Sequence, residues 1–188
     1  RRRSGRAGGR VDADDLVGDR AFLSTAVQHL QQDQRLAFVQ TIKEAQVSPG
    51  DPFGNLEPLF YRQAKFAKNA ANAVFPCGSG LLWRREALED IGGFPTWNLV
   101  EDLQSGVEAL RRGWRGAYLP IVGAVGQSAP EDMANAIKQR GTWAIDTMRI
   151  TFWGNKRGLS LRQHLQFAEL GFFYMLSFAV LVFAVTPI

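Results

Sequence analysis

Three carboxylates fall within four residues, at Asp12, Asp14 and Asp15 in the stretch V-D-A-D-D-L. Carboxylate oxygens are hard donors suited to Mg2+ or Ca2+, so the pattern raises the question of a cation site. A calcium loop counted from Asp12 would need glycine at its sixth position and glutamate at its twelfth. Those positions hold Val17 and Leu23, which excludes it. A D-x-D on the turn leaving a strand can instead place Asp12 and Asp14 near one Mg2+ ion that also takes phosphate oxygens. Taken alone, the same residues are more simply a solvated turn.

Two later stretches carry further polar groups. Glu101 and Asp102, in V-E-D-L-Q-S-G, stand at a loop-to-helix junction, where acids in a first helical turn complement the macrodipole. In K-Q-R-G-T-W, Gln139 and Trp143 lie four apart and share a helical face, with Thr142 beside them. A tryptophan among polar groups offers a flat apolar surface to a sugar ring, although an ordinary core tryptophan is the simpler account.

These residues need elements to position them. Phe22, Leu23, Ala26, Val27 and Leu30 follow Asp19 at helical spacing, with Asp19 as a capping residue. R-L-A-F-V-Q-T reads as a short buried strand, and V-S-P-G-D-P-F-G-N as a loop. A helix is expected from near Leu56 to Ala73, and another over Arg84 to Asp90, entered from the C-G-S-G loop and stopped by Gly92 and Gly93. E-D-L-Q-S-G-V-E-A-L-R-R-G predicts a helix ending at Gly113, and W-R-G-A-Y-L-P-I-V-G-A-V-G a strand. Ser128 and Glu131 form a capping box, with Pro130 in the first turn, for a helix reaching Trp153. Ser160 and Gln163 offer another box, opening an amphipathic helix of interfacial character.

That last helix leads into Leu170–Ile188, a run without a charge. Its 19 residues span roughly 28 Å as a helix, close to a bilayer's hydrocarbon thickness. The run is apolar around its whole circumference, which predicts a transmembrane helix with further spans beyond. Lys156, Arg157 and Arg162 precede it and place that side in the cytoplasm.

Composition narrows the classes. The chain has 188 residues, suiting one domain, and its 46% hydrophobic content can build a core. The net charge of +4 resides in the arm: residues 1–10 hold five arginines, leaving 17 basic against 18 acidic residues. A near-neutral body argues against a nucleic-acid partner. Cys77 is the sole cysteine, so no intramolecular disulfide forms. No apolar stretch follows the N-terminal charges, so no secretory signal opens the chain.

The order of the motifs is more specific than any one of them. D-x-D, D-P-F-x-N-L, C-G-S-x-x-x-x-R-R-E-A-L-x-x-x-G-G-F, E-D and Q-R-x-x-W, followed by a membrane segment, resembles the cellulose synthase-like branch of glycosyltransferase family 2. The resemblance covers Val11 to about Phe152 and the membrane segment; residues 1–10 have no part in it. It implies an α/β fold: residues 11–155 as the C-terminal part of a GT-A domain, then 156–188 as an interfacial helix and a transmembrane helix, behind a disordered basic arm at 1–10.

The resemblance also implies roles. Asp12 and Asp14 would hold Mg2+ or Mn2+ against the diphosphate of a UDP-sugar, typically UDP-glucose. Asp102 would be the general base toward the acceptor hydroxyl, with Glu101 orienting the site. Gln139 and Arg140 would lie at the donor, while Cys77, Gly78, Ser79 and Trp143 would line the acceptor. Two positions depart from the family pattern. Val100 replaces the usual Thr, and Thr142 stands where an Arg is expected to grip the diphosphate. The implied protein is an inverting, processive β-glycosyltransferase extending a polysaccharide such as cellulose. It would be a multi-pass protein of the plasma (inner) membrane with a cytoplasmic catalytic domain, lipid contacts and partner subunits of a synthase complex. The alternatives are a synthase of another β-glucan, hyaluronan, chitin or mannan, or a non-catalytic membrane-anchored fragment. The first half of the GT-A sheet and the gating region are expected outside this chain, which alone is expected to be inactive.

Overall fold

The computed structural model describes residues 7–10, 12, 15–46, 57–128, 130 and 132–185. The loop expected over 47–55 and the acidic residue Asp14 lie outside them. Five strands form one mixed sheet in the order β1-β4-β3-β5-β2. β3 (Leu36–Gln46) and β5 (Arg115–Ser128) run parallel at its centre. β4 (Leu81–Arg84) is antiparallel to β3, and β1 (Ala7–Arg10) is antiparallel to β4. On the other side β2 (Leu16–Val17) pairs antiparallel with β5.

β3 is buried on both faces over its first eight residues, as a central strand is; it opens on the apolar run Leu36–Val39 and continues into the buried polar residues Gln40, Thr41 and Lys43. Alternation along the strands sends Phe38, Leu81, Trp83 and Tyr118 to one face and Val39, Leu82 and Leu119 to the other. α1 (Phe22–Gln32) covers the second face with Phe22, Ala26 and Leu30. Asp19 prepares its entry by accepting from the Ala21 N–H at 2.7 Å.

The first face is covered from Tyr61, Ala87 and Ala109. α2 (Glu57–Leu59) passes through a π-helical stretch (Phe60–Ala64) into α3 (Lys65–Ala70), so the helix expected over 56–73 contains a wide turn. α4 (Arg85–Asp90) and α5 (Glu101–Arg111) follow, and Gly113 ends the latter with φ +87°. α5 then buries Leu103, Val107 and Leu110 in a separate cluster with Ile150 of α6 (Met133–Trp153) and Phe167 of α7 (Leu161–Val185).

Three sequence expectations change. Residues 7–10, expected in a disordered arm, form the edge strand β1, because β4 supplies backbone partners that local composition does not reveal. The stretch L-L-W-R, expected to lead from the loop into a helix beginning at Arg84, is β4, and the helix begins at Arg85. The capping box at Ser128 and Glu131 is replaced: Ser128 ends β5, and α6 starts five residues later. There the Asp132 carboxylate accepts from the Asn135 backbone N–H at 2.8 Å and from its side-chain amide at 2.6 Å. By contrast, Ser160 and Gln163 do form a reciprocal box at the start of α7, with bonds of 2.8 and 3.3 Å.

α7 docks on the domain through Phe167, through Gln163 donating to the Asn72 carbonyl, and through Lys68 pairing with Glu169 at 2.9 Å. Among the described residues no helix is long and apolar enough to cross a membrane. The expected span from Leu170 runs into 177–178 and 181–188, where side chains lie outside the description.

Candidate active site

The C-G-S-G turn is the hinge of the site. Gly78 and Gly80 have φ of +74° and +67°, a backbone shape that glycine adopts without cost. A Cβ on Gly78 would sit 3.3 Å from a carboxylate oxygen of Asp12, so the turn and the acidic segment are in close approach. Ser79 Oγ accepts from the Asp12 backbone N–H at 3.1 Å. Beneath the turn, the buried Gln40 side chain donates to the Ser79 carbonyl at 2.9 Å and accepts from the Cys77 N–H at 2.8 Å. Thr41 Oγ1 donates to the Gly80 carbonyl at 2.7 Å. Strand β3 thereby fixes the turn by side-chain bonds as well as by pairing.

α5 meets the same turn from the other side. A Cβ on Gly106 would collide with the Pro76 ring, so a glycine on α5 is what lets the helix lie against Phe75 and Pro76. Its N-terminus is pinned from behind: Asn98 Oδ1 accepts from the Val100 N–H at 2.8 Å, and buried Asp146 of α6 accepts from the Leu99 N–H at 2.9 Å. Glu101 and Asp102 open the helix. Burial pushes the Asp102 carboxyl up from 3.8 to about 6, against the Leu103 N–H that donates to it at 2.7 Å. The charge of Glu101 adds to the rise, and those of Lys65 and Arg10 oppose it.

Arg10 joins the two halves. Its Nη1 donates to Glu101 at 2.6 Å, and its Nε lies 3.5 Å from Asp12. Lys43 of β3, nearly buried, places its ammonium 3.6 Å from both Asp12 and Asp15. The Asp15 carboxylate is fully buried, and neither oxygen has a hydrogen-bond partner among the described residues. Lys65 is buried under Cys77, donating to the Phe75 carbonyl at 2.7 Å with its ammonium 3.3 Å from the Phe75 ring centre. Burial lowers the Lys65 pKa and raises that of the Cys77 thiol, each partly offset by the other.

The structure therefore brings together Asp12, Cys77, Gly78, Ser79, Glu101 and Asp102. Trp143 is half-buried on α6 against the cluster that contains Val100 and Leu103, next to the first turn of α5. Gln139 is half-buried and Arg140 exposed on that helix. Thr142 turns its hydroxyl to the Lys138 carbonyl at 2.9 Å, so no side-chain cation stands at its position. Arg10, Lys43, Lys65 and Asp146 were not foreseen. None of them carries a local sequence signal: Asp146 has Thr142 and Arg149 among its neighbours on the helix, and its burial follows from packing.

Asp12 is the one described carboxylate of the D-x-D, and it lies 3.5 Å from Arg10 and 3.6 Å from Lys43. Asp12 is 30% exposed and presents carboxylate oxygens, and Mg2+ or Mn2+ takes one or two carboxylates together with phosphate oxygens. Lys43, 3.6 Å from both Asp12 and the buried Asp15, offsets the charge of the pair. Among the described residues, which exclude Asp14, no three acidic, histidine or cysteine side chains converge on one point.

The α/β architecture is that of a GT-A-like glycosyltransferase domain. A mannosyltransferase from Pyrobaculum calidifontis, solved in complex with GDP-Man and Mn2+, superposes with a TM-score of 0.66 at 22% identity, covering 92% of this chain and 46% of its own. Residues 10–145 match the family described as Glycosyltransferase like family 2. The chain belongs to glycosyltransferase family 2. Among its curated relatives, the UDP-forming cellulose synthase catalytic subunit of Komagataeibacter sucrofermentans is 34% identical over 187 residues, covering 93% of this chain and 24% of the relative. That of Xanthomonas axonopodis pv. citri is 35% identical over 175 residues, covering 85% and 24%. That of Pseudomonas fluorescens is 34% identical over 189 residues, covering 93% and 25%. The chain thus spans about a quarter of the length of these relatives.

Proposed function

We propose that this chain is the acceptor-side part of the catalytic domain of an inverting, processive β-glycosyltransferase that transfers glucose from UDP-glucose to a growing polysaccharide such as cellulose. The observation that carries the reading is Asp102: a half-buried carboxylate with a pKa raised to about 6, at a helix N-terminus, linked through Glu101 and Arg10 to Asp12 and the C-G-S turn. A base poised near neutrality is mostly ionised at pH 7 yet still binds a proton usefully.

In the reaction, Asp102 takes the proton from an acceptor hydroxyl as that oxygen attacks the anomeric carbon. The bond from this carbon to the diphosphate oxygen breaks on the opposite face, which inverts the configuration and releases UDP. Asp12 and Asp14 would hold the divalent cation, which neutralises the charge developing on the diphosphate. Glu101 keeps Arg10 in place beside Asp12. Trp143 offers its ring to the terminal sugar of the acceptor, and Cys77 to Ser79 line the acceptor's path.

Membrane attachment is part of the proposal. α7 exposes Leu161, Leu165, Phe172, Phe173 and Leu176, a set that lipid can cover, with Lys156 and Arg157 before the helix and Arg162 in its first turn. A different donor is the second reading, favoured by the likeness to a structure that holds GDP-Man. Membranes containing the intact protein, supplied in turn with UDP-glucose and GDP-mannose, separate the two. A glucose polymer formed from UDP-glucose alone supports the first reading, and a mannan formed from GDP-mannose replaces it.

A further inference from the structure

Three described carboxylates, Asp12, Glu101 and Asp102, lie together at the site, with the buried Asp15 behind Lys43, so a diphosphate bound there would meet negative charge. An anion tolerates such walls only if fixed positive groups face it. Three cationic side chains stand among those carboxylates. Lys43 is 6% exposed and Lys65 fully buried, and both are committed to protein oxygens. Arg10 differs. It is 37% exposed, it reaches in from an edge strand, and its Nε and Nη1 alone engage Asp12 and Glu101. Its Nη2 has no hydrogen-bond acceptor among the described residues, and its guanidinium carbon lies 5.9 Å from the Phe94 ring centre, a face that steadies the plane. A guanidinium so held is pre-organised to bind phosphate oxygens through its remaining N–H groups.

We infer that Arg10 is a donor-binding residue that grips the diphosphate of a nucleoside-diphosphate ligand. The inference rests on the nucleotide-sugar reading above. It also gives the N-terminal basic segment a role at its last residue, through geometry alone. Glu101 and Asp12 aim the fork, and a bound divalent cation at Asp12 would bring the phosphates within its reach.

The test is isothermal titration of the intact protein with Mg2+-pyrophosphate, Mg2+-UDP and uridine, for the wild type, Arg10→Gln and Arg10→Lys. Arg10→Gln is expected to weaken pyrophosphate and UDP by about ten-fold or more and to leave uridine unchanged. Arg10→Lys should recover part of the loss, since it keeps the charge and not the fork. Pyrophosphate and UDP bound as tightly by Arg10→Gln as by the wild type would overturn the inference and leave Arg10 a counter-ion of Asp12 and Glu101. Arg10-dependent pyrophosphate binding with UDP no tighter than pyrophosphate would retain Arg10 and remove the nucleotide-sugar reading. A wild type that binds neither would remove both.

Discussion

Asp102→Asn should inactivate the enzyme and stabilise it, and the size of the stabilisation follows from the site. The Asp102 carboxyl is held at about 6 in the folded chain against an ordinary 3.8, chiefly by burial. It therefore binds its proton more tightly folded than unfolded, and its ionisation costs stability as the pH rises from 4 through 6. The gap corresponds to about 3 kcal/mol at pH 7 to 8, and to about half of that at pH 5. Asparagine has the same shape, carries no charge at any pH and can still accept from the Leu103 N–H. In a domain of this size the variant should melt on the order of 5–10 °C above the wild type at pH 8. Differential scanning calorimetry at pH 8, 7, 6 and 5 measures this directly, and the advantage should shrink as the pH falls below 6. A melting temperature equal to or below that of the wild type at pH 8 would refute the claim that this carboxylate is strained by burial.

Other consequences are simpler. As the proposed base, Asp102 would act only when ionised, so initial rates of the intact enzyme under donor-limiting conditions should fall about ten-fold between pH 7 and pH 5, with a midpoint near 6. Gly78→Ala places a side chain at φ +74° and against Asp12, and should cost about 1–2 kcal/mol in denaturant unfolding while raising the cation concentration needed for turnover. Gln40→Leu leaves the Cys77 N–H without its partner in the core, and should lower stability by about 2–4 kcal/mol in the same assay.

The alternation of helices and strands was legible because each element carries its own period. α1, α5 and β5 appear where periodicity and end signals place them. β4 was not, since L-L-W-R is four residues long and merges with the start of α4; only pairing with β3 makes it a strand. β1 carries two glycines and an arginine in four residues, a composition typical of solvated chain, and it exists because β4 has a free edge. Asp12, Glu101, Asp102 and the C-G-S turn were found through the order of their motifs. Their electrostatic partners were not, because a lysine in a strand or helix reads as exposed. That Lys43 and Lys65 are buried follows from packing that no local window contains. Ser128 and Glu131 had the right types for a capping box, yet Asp132 and Asn135 took the role once β5 extended through Ser128.

The central claim is that Asp102 is the general base of donor-dependent transfer. The most direct measurement is UDP release from UDP-glucose by the intact protein in membranes at pH 7.5, comparing the wild type with Asp102→Asn, with UDP binding measured on both. The expected result is a loss of about a hundred-fold or more in turnover with UDP affinity retained. Turnover within a few-fold of the wild type would contradict it.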